Sequence, residues 1–204
     1  MGHSLRTSHL YFFEVLNSLD IVQTSLPGVL ELHPKVFRDA RGFFLETYQK
    51  AKYAALGVAD SFVQDNHSRS VKGTLRGLHY QLRHPQAKLC FVVEGEALDV
   101  AVDIRVGSPH FGKWTSVLLS AEKHNQIYIP RGFAHGFLAL TDTVQFFYKC
   151  SDFHDSKDEY GIRWDDPELG IAWDVRDPLV SEKDARCPTL SGAPRETLPL
   201  YSEK

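Results

Sequence analysis

The chain has 204 residues, of which 43% are hydrophobic and 24% charged, and its formal net charge is -3. This length suits one domain with a substantial core, and the charge gives no basic field of the kind that nucleic acids attract. No apolar run reaches membrane-spanning length, and the apolar patch Leu10–Phe13 lacks a signal-peptide cleavage site. The cysteines Cys90, Cys150 and Cys187 show no zinc-site spacing and indicate a reducing compartment, so we expect a cytoplasmic protein.

Strand patterns dominate the chain after its first 24 residues. Residues 1–24 are interpreted as an N-terminal extension, one helical turn or a strand that could lie on a partner subunit. Strands are predicted at 29–33, 43–48, 62–67, 98–105, 114–119, 126–129, 135–140 and 144–150. A short helix is predicted at 49–56, ended by Gly57, and another begins after Ser181 as N-cap. Residues 191–204 are predicted to form a loosely ordered tail.

The strands recur about every ten residues, with Gly, Pro, Asn and Asp between them. The clearest alternation is Leu98–Arg105, which places Val100 and Val102 on one face and Asp99 and Asp103 on the other. Short alternating strands at this spacing are typical of an antiparallel sandwich or barrel. We find no internal repeat or linker, so the sequence predicts a single domain.

The segment Gly73–Gln81 concentrates residues that can carry chemistry. Its period of two predicts that Arg76 and His79 lie on opposite faces, with Gly77 marking a bulge or a close approach. The next strand-like run opens with Lys88, and a hairpin-like return would place this lysine near His79. An imidazole that takes a proton and a cation that holds an enolate oxygen suit proton abstraction beside a carbonyl. On this segment alone, a half-buried histidine and a solvated lysine explain the pattern as well.

Two histidines in a strand-rich chain also suggest a cupin jelly roll, in which they usually hold a metal. Pro130–His135 matches the second half of the cupin pattern, although Ala139 replaces its asparagine. In the first half His79 is present, but Gln81 replaces the second histidine. A transition metal would keep two imidazoles and a poor amide ligand, where three or four good donors are needed. The sequence therefore favours the barrel and argues against a metal site.

Without a metal, His79 is free to act as a general base. Such a base contributes roughly 10²–10⁴-fold to the rate, and a buried carboxylate would hold its tautomer. The sequence does not choose among the candidate carboxylates Asp65, Asp99, Asp103 and Asp184. The proton donor must be a neutral acid on the opposite face of the substrate, and Tyr148 shares an inward strand face with Phe146 and Cys150. A core tyrosine with a satisfied hydroxyl explains that position equally well.

A series of ordered motifs between about Leu26 and Leu190 resembles the dTDP-4-dehydrorhamnose 3,5-epimerase family of sugar-nucleotide cupins. The motifs are Pro34–Glu46, Phe62–Ser68, Leu75–Gln81, Asp99–Arg105, Ser108–Gly112, Leu119–Glu122, Ile129–Phe137, Phe147–Lys149, Trp164–Ile171 and Leu179–Asp184. The resemblance implies an all-β fold, a cupin-type jelly roll (double-stranded β-helix barrel) with a few short helices. It implies one such domain over residues 25–190.

The family's reaction inverts carbons 3 and 5 of a 4-keto-6-deoxyglucose carried on dTDP, which yields dTDP-4-dehydro-L-rhamnose for dTDP-rhamnose biosynthesis. Both carbons flank the ketone, so the resemblance implies no cofactor and no metal. It assigns the general base to His79, the orienting carboxylate to Asp184, the acid to Tyr148 and enolate stabilisation to Lys88. The implied nucleotide and sugar contacts are Arg41, Glu46, Gln64, Asn66, Arg76, His135, Glu159 and Lys183.

The resemblance also implies a homodimer in which neighbouring chains exchange N-terminal strands. Arg41 and Glu46 would then serve the partner's site.

Two departures from the family pattern affect the site. Ala87 replaces a glycine before Lys88, and Phe153-His154 replaces paired tyrosines, which leaves Phe153 or His154 as the residue that stacks on thymine.

Three other functions remain open at this point. A mono-epimerase of the same family would invert carbon 3 alone and would share these residues. A non-catalytic sugar-nucleotide-binding cupin could dispense with Tyr148 and the His79–Asp184 pair. A metallo-cupin oxygenase would need bound iron.

Overall fold

The computed structural model describes residues 19–202, which form thirteen β-strands, two short α-helices and one 3-10 turn. The strands are β1 (Leu19–Gln23), β2 (Leu30–Pro34), β3 (Val36–Asp39), β4 (Gly42–Leu45), β5 (Gln64–Val71), β6 (Leu75–Gln81), β7 (Lys88–Glu94), β8 (Glu96–Asp103), β9 (Trp114–Ser120), β10 (Gln126–Ile129), β11 (Phe133–Ala139), β12 (Thr143–Cys150) and β13 (Glu159–Gly161). The helices are α1 (Lys50–Ala55) and α2 (Glu182–Ala185), and the 3-10 turn is Arg195–Thr197.

Two antiparallel sheets build the barrel. The six-stranded sheet has the order β1-β2-β10-β7-β12-β5, and the five-stranded sheet has the order β13-β6-β11-β8-β9. Strands β3 and β4 form a separate hairpin. Consecutive strands often lie in different sheets, as in a jelly roll. The all-β, cupin-type jelly roll expected from the sequence is therefore confirmed.

The barrel interior is filled by apolar side chains from the inward faces of both sheets. Phe137 of β11 and Phe146 of β12 come from opposite sheets, and their rings stack with centroids 4.0 Å apart. Burying a side chain of this size contributes roughly 1.5–3 kcal/mol. This aromatic pair joins the two sheets and, as described below, forms part of a cavity wall.

The outer face of the five-stranded sheet is also buried. Val100, Val102 and Ile104 pack there against apolar residues of the C-terminal region, including Trp173 and Leu198. The sequence predicted a polar face opposite these residues, and that face is buried as well, because it points into the barrel. Each carboxylate on it therefore needs a partner.

Helix α1 lies one residue inside each end of the predicted 49–56 helix, and α2 begins directly after the predicted N-cap Ser181. In α1, the Gln49 side chain accepts a hydrogen bond from the Lys52 amide at 2.7 Å, and Gly57 follows the helix with a positive φ of 99°. In α2, the Ser181 hydroxyl accepts from the Asp184 amide at 3.1 Å. The Ser181 cap therefore fixes the backbone of Asp184, whose side chain is part of the cavity described below.

The two ends of the chain differ from the sequence-based expectation where the structure describes them. Strand β1 pairs with β2 and so extends the six-stranded sheet to residue 19, ahead of the expected domain start at 25. The rest of the expected extension, residues 1–18, lies outside the described residues. The expected loose tail is packed over residues 191–202, since Leu198 is buried and Leu200 bridges Val106. Among residues 19–202, no helix is long and apolar enough to cross a membrane.

Candidate active site

Strand β6 carries a β-bulge that gives the site its shape. The ladder between β6 and β11 slips by one residue near Gly77, which has a φ of +126°. A Cβ on Gly77 would come within 2.5 Å of the Gly136 Cα, so the close approach of the two backbones requires glycine. The bulge brings Arg76 and His79 to the same cavity. The predicted strict alternation, which placed them on opposite faces, is wrong for this reason.

His79 is held by a buried carboxylate from α2. Its Nε2 lies 2.7 Å from Asp184 Oδ1, while Asp184 Oδ2 accepts a hydrogen bond from the Gly77 amide at 3.2 Å. Burial would raise the pKa of Asp184, but the hydrogen bonds from His79 and Gly77 hold it below its ordinary value. An ionised carboxylate only accepts hydrogen bonds, so Nε2 carries the proton and Nδ1 is the basic nitrogen.

The structure resolves the choice among the four candidate carboxylates. Asp99 contacts His135, with a shortest distance of 3.0 Å to its Nε2. Asp103 binds the Arg105 guanidinium at 2.6 Å, and Asp65 binds Lys149 at 2.9 Å. Only Asp184, of the four, contacts His79. Sequence reasoning did not find the second histidine–aspartate pair, because alternation placed Asp99 on a polar face and did not show that this face is buried.

Tyr148 and Lys88 reach the cavity from the opposite sheet. The predicted hairpin between the strands of His79 and Lys88 is wrong, because β6 belongs to the five-stranded sheet and β7 to the six-stranded sheet. The two residues nevertheless line one cavity with Tyr148. Lys88 Nζ lies 5.9 Å from the centroid of the Tyr148 ring. Burial raises the pKa of Tyr148 to about 12, so its hydroxyl stays protonated at neutral pH.

The cavity has a volume of about 430 Å³ and opens beside a smaller chamber of about 90 Å³. His79, Lys88, Tyr148 and Glu159 border both spaces. The larger cavity is also lined by Ser68, Thr74, Leu75, Arg76, His135, Phe137, Phe146, Leu179, Ser181, Lys183 and Asp184. The smaller chamber is also lined by Gln64, Asn66, Tyr80, Gln81, Gln86, Cys150 and His154. Six of the eight predicted contact residues therefore gather around the four predicted catalytic residues.

The small chamber is organised by polar contacts. Gln64 Nε2 donates to Asn66 Oδ1 at 2.9 Å, and Gln64 Oε1 accepts from the His154 amide at 2.9 Å. Glu159 Oε2 lies 2.5 Å from Lys183 Nζ and 3.5 Å from His154 Nε2. Of the two aromatic residues considered for stacking, His154 lines the chamber. Phe153 has 65% of its surface exposed and is not among the lining residues.

Arg41 and Glu46 lie away from this cavity in the single chain. Arg41 is on the turn of the β3–β4 hairpin and pairs with Asp39 at 2.5 Å. Glu46 pairs with Lys52 at 2.9 Å. Neither lines the cavity or the chamber, so the structure of one chain does not bring these two predicted contacts to the site.

His79 and His135 are direct neighbours across β6 and β11 but do not form a shared ligand set. Within residues 19–202, only Cys90, Asp99 and His135 bring three potential metal ligands within 4.8 Å of one another. Burial raises the pKa of the Cys90 thiol well above its usual range, which disfavours the thiolate that a metal needs. His135 Nε2 is already hydrogen-bonded to Asp99. The chemistry of this group fits a buried hydrogen-bonded cluster better than a metal centre.

Sequence reasoning did not single out several residues that line the cavity. Among them are Ser68 and Thr74. Strand alternation was a usable signal for Ser68, because it stands two residues after Asn66 on the inward face of β5.

Comparison with known proteins shows the family of this chain. The family model for dTDP-4-dehydrorhamnose 3,5-epimerase matches residues 23–192. A curated dTDP-4-dehydrorhamnose 3,5-epimerase from Shigella flexneri is 52% identical over 168 residues, which are 81% of this chain and 93% of the relative. The crystal structure of the Legionella pneumophila 3,5-epimerase with dTDP-4-keto-L-rhamnose has a TM-score of 0.89 at 46% identity, covering 91% of this chain and all of that one.

A 3′-monoepimerase from Streptomyces bikiniensis, solved with dTDP-quinovose, has a TM-score of 0.81 at 37% identity and covers 87% of this chain and 91% of its own. It shares the fold at a lower identity than the two 3,5-epimerases above. The family model spans most of the sequence, and the Shigella flexneri relative is more than half identical over four-fifths of it. This chain therefore belongs to the dTDP-4-dehydrorhamnose 3,5-epimerase family and is an isomerase.

Proposed function

We propose that the protein converts dTDP-4-dehydro-6-deoxy-D-glucose to dTDP-4-dehydro-L-rhamnose by inverting carbons 3 and 5. One observation carries this proposal: a carboxylate-held histidine and a protonated tyrosine reach one cavity from opposite sheets. The similarity to 3,5-epimerases from two bacteria supports the choice of substrate. A non-catalytic binding protein would have no need to bring His79, Asp184 and Tyr148 together with Lys88.

The first step is removal of a proton from a carbon next to the ketone. His79 Nδ1 accepts the proton, while Asp184 holds Nε2–H and stabilises the imidazolium that forms. The electron pair left on carbon moves onto the ketone oxygen as an enolate. The Lys88 ammonium borders both the cavity and the chamber and supplies positive charge to that oxygen. The ketone itself acidifies the proton, so the proposed reaction needs neither metal nor cofactor.

Inversion requires that the new proton arrive from the other face of the sugar. Tyr148 is on β12 of the six-stranded sheet, whereas His79 is on β6 of the five-stranded sheet. A hexose bound between the sheets would present one face to each residue. Because its pKa is raised to about 12, Tyr148 keeps the proton that it must deliver.

The remaining polar residues suit a sugar nucleotide. The Arg76 guanidinium and the Lys183 ammonium provide positive charge for a diphosphate. Gln64 and Asn66 provide amide donors and acceptors for a base edge or a sugar hydroxyl. We assign thymine stacking to His154 rather than Phe153, because His154 lines the small chamber. His135 and Glu159 complete the proposed contacts.

We further propose a homodimer in which N-terminal strands are exchanged between chains. Support comes from the β3–β4 hairpin, where Phe37, Phe43 and Phe44 are each more than half exposed. Arg41 and Glu46 lie on or next to this hairpin and away from their own cavity, as expected if they serve a partner's site. The proposed location is the cytoplasm, without nucleic-acid or membrane partners, and the free thiols of all three cysteines support a reducing compartment.

The test is proton NMR of dTDP-4-keto-6-deoxyglucose incubated with the enzyme in deuterated water. Deuterium at carbons 3 and 5 together with the L-lyxo product is the expected result. Deuterium and inversion at carbon 3 alone would change the function to mono-epimerase while keeping the site. Absence of exchange at both carbons would contradict the catalytic proposal for this substrate.

A further inference from the structure

One polar atom in the cavity wall has no partner. Ser68 Oγ is buried, and within residues 19–202 it is the only buried side-chain nitrogen or oxygen without a hydrogen bond. Ser68 lines the larger cavity and has no role in the mechanism above. A buried unpaired hydroxyl costs about 1–3 kcal/mol, so such an atom in a binding cavity calls for an explanation.

The neighbours of Ser68 on the same strand face are all satisfied within the protein. Asn66 accepts from Gln64 and contacts Cys150 Sγ at 3.5 Å. On the other side, Ser70 Oγ accepts a hydrogen bond from Arg76 Nε at 3.1 Å. Strand β5 therefore presents a row of inward polar side chains in which Ser68 alone has no hydrogen-bond partner within the described part of the protein.

The position of Ser68 indicates which part of a ligand it would meet. It pairs with Phe146 in the β5–β12 ladder, and Asn66 pairs with Tyr148. Ser68 therefore lies two residues along the strand from the level of the proposed acid, a distance of roughly 7 Å. This is about the span of a sugar ring that reaches from Tyr148 into the larger cavity. The wall on that side includes Phe137 and Phe146, which suits the C–H faces of a deoxyhexose.

We propose that Ser68 is a substrate-positioning residue whose hydroxyl hydrogen-bonds to a hydroxyl group of the bound hexose. This inference rests on the proposed function, because it takes the cavity to hold a sugar nucleotide. This bond gives Ser68 Oγ the hydrogen-bond partner that it lacks within the protein, and it fixes the orientation of the hexose ring relative to His79 and Tyr148. Nucleotide and diphosphate contacts do not involve Ser68.

The test compares Ser68→Ala with Ser120→Ala. Ser120 is also buried, but its Oγ accepts a hydrogen bond from the Glu122 amide at 3.3 Å, and it does not line the cavity. Thermal unfolding is measured for both variants without ligand. Calorimetry then gives the Kd for dTDP and for dTDP-glucose, a sugar nucleotide without the ketone, and kcat/KM is measured with the keto sugar.

We expect Ser68→Ala to keep or raise the melting temperature of the free protein, since it removes an unpaired buried hydroxyl. We also expect it to weaken dTDP-glucose binding and to lower kcat/KM by roughly 3- to 10-fold while leaving the Kd of dTDP unchanged. Ser120→Ala should lower the melting temperature and leave both Kd values unchanged.

Three results would overturn the assignment. An equal loss of affinity for dTDP would place the Ser68 contact on the diphosphate or base. No loss with either ligand would mean that Ser68 contacts no part of the substrate. A fall in melting temperature like that of Ser120→Ala would mean that the hydroxyl has a structural partner. Because the binding assays need no turnover, they report on Ser68 even if the wild-type protein fails the deuterium-exchange test of the proposed function.

Discussion

Two histidine–aspartate pairs face each other across strands β6 and β11 and differ mainly in burial. His79 and His135 are directly opposite in the ladder, and each has Nε2 within about 3 Å of a carboxylate oxygen. The side chains of His79 and Asp184 are 27% and 5% exposed, whereas those of His135 and Asp99 are 8% and 0% exposed. The same two functional groups are therefore placed in two electrostatic environments.

Burial decides what each pair can do with a proton. Desolvation lowers the pKa of His135 and raises the pKa of Asp99, so the deeper pair disfavours charge on both members. Asp184, in contrast, keeps a pKa below its ordinary value because His79 and the Gly77 amide donate to it. A histidine base needs an ionised carboxylate that stabilises its protonated form, and it needs access to the substrate. Only the His79–Asp184 pair has both.

The largest expected effect is the loss of the base. His79→Ala should reduce deuterium incorporation at carbons 3 and 5 by roughly 10²–10⁴-fold, because general-base catalysis contributes about that much. The fold should persist, since His79 is partly exposed. The matched variant His135→Ala should weaken substrate binding but retain exchange at saturating substrate, as measured by NMR in deuterated water. Full exchange in His79→Ala, or its complete loss only in His135→Ala, would reverse the roles of the two pairs.

Removal of the proposed acid separates proton abstraction by the His79–Asp184 pair from proton delivery to the opposite face of the sugar. Tyr148→Phe should retain proton exchange and lose the inverted product, because proton abstraction remains and delivery from the opposite face does not. The measurement follows deuterium incorporation and product configuration in one NMR time course. If exchange disappeared together with inversion, Tyr148 would have to take part in proton abstraction, and the His79–Asp184 pair would not suffice as the base.

Substitution of Asp184 should mainly reduce activity, whereas substitution of Asp99 should mainly reduce stability. Asp184→Asn should lower kcat by at least roughly 10- to 100-fold, the loss found when the carboxylate that orients a metal-bound histidine is removed, with little change in substrate affinity. Asp99→Asn should instead cost about 1–3 kcal/mol of unfolding free energy, because it disturbs a fully buried hydrogen-bonded pair. Steady-state kinetics and urea unfolding of both variants measure the two effects. A larger loss of kcat in the Asp99 variant would contradict this division.

Sequence patterns predicted most of the fold because they report local physics. Alternation predicted the inward position of Tyr148, and cap chemistry predicted the end of α1 at Gly57 and the start of α2 after Ser181. His79 and Asp184 are 105 positions apart, which is beyond the reach of any such pattern, so only the family resemblance paired them.

The errors have physical causes that the sequence did not show. Strict alternation failed at Gly77, because the approach of the Gly136 backbone imposes a bulge. The hairpin to Lys88 failed because a jelly roll sends consecutive strands to different sheets. Asp99 was expected on a polar face and is buried, because sheet order decides which faces are covered. Each of these depends on contacts between distant segments.

The smallest expected effect is a difference in how the two carboxylates couple stability to pH. Asp184 has a folded-state pKa below that of the unfolded chain, so its contribution is present above a pH of about 4 and is lost as pH falls through the folded value. Asp99 has a raised folded-state pKa, so its contribution is present below a pH of about 4 and is lost as pH rises through its folded value.

Urea unfolding at a series of acidic pH values measures this coupling for wild type, Asp184→Asn and Asp99→Asn. As pH falls, the wild type should lose stability relative to Asp184→Asn and gain stability relative to Asp99→Asn. The two difference curves should therefore have opposite slopes. Slopes of the same sign would mean that burial does not give the two pairs different proton affinities. That result would contradict the distinction between His79–Asp184 as the proton-exchanging pair and His135–Asp99 as the pair in which charge is disfavoured.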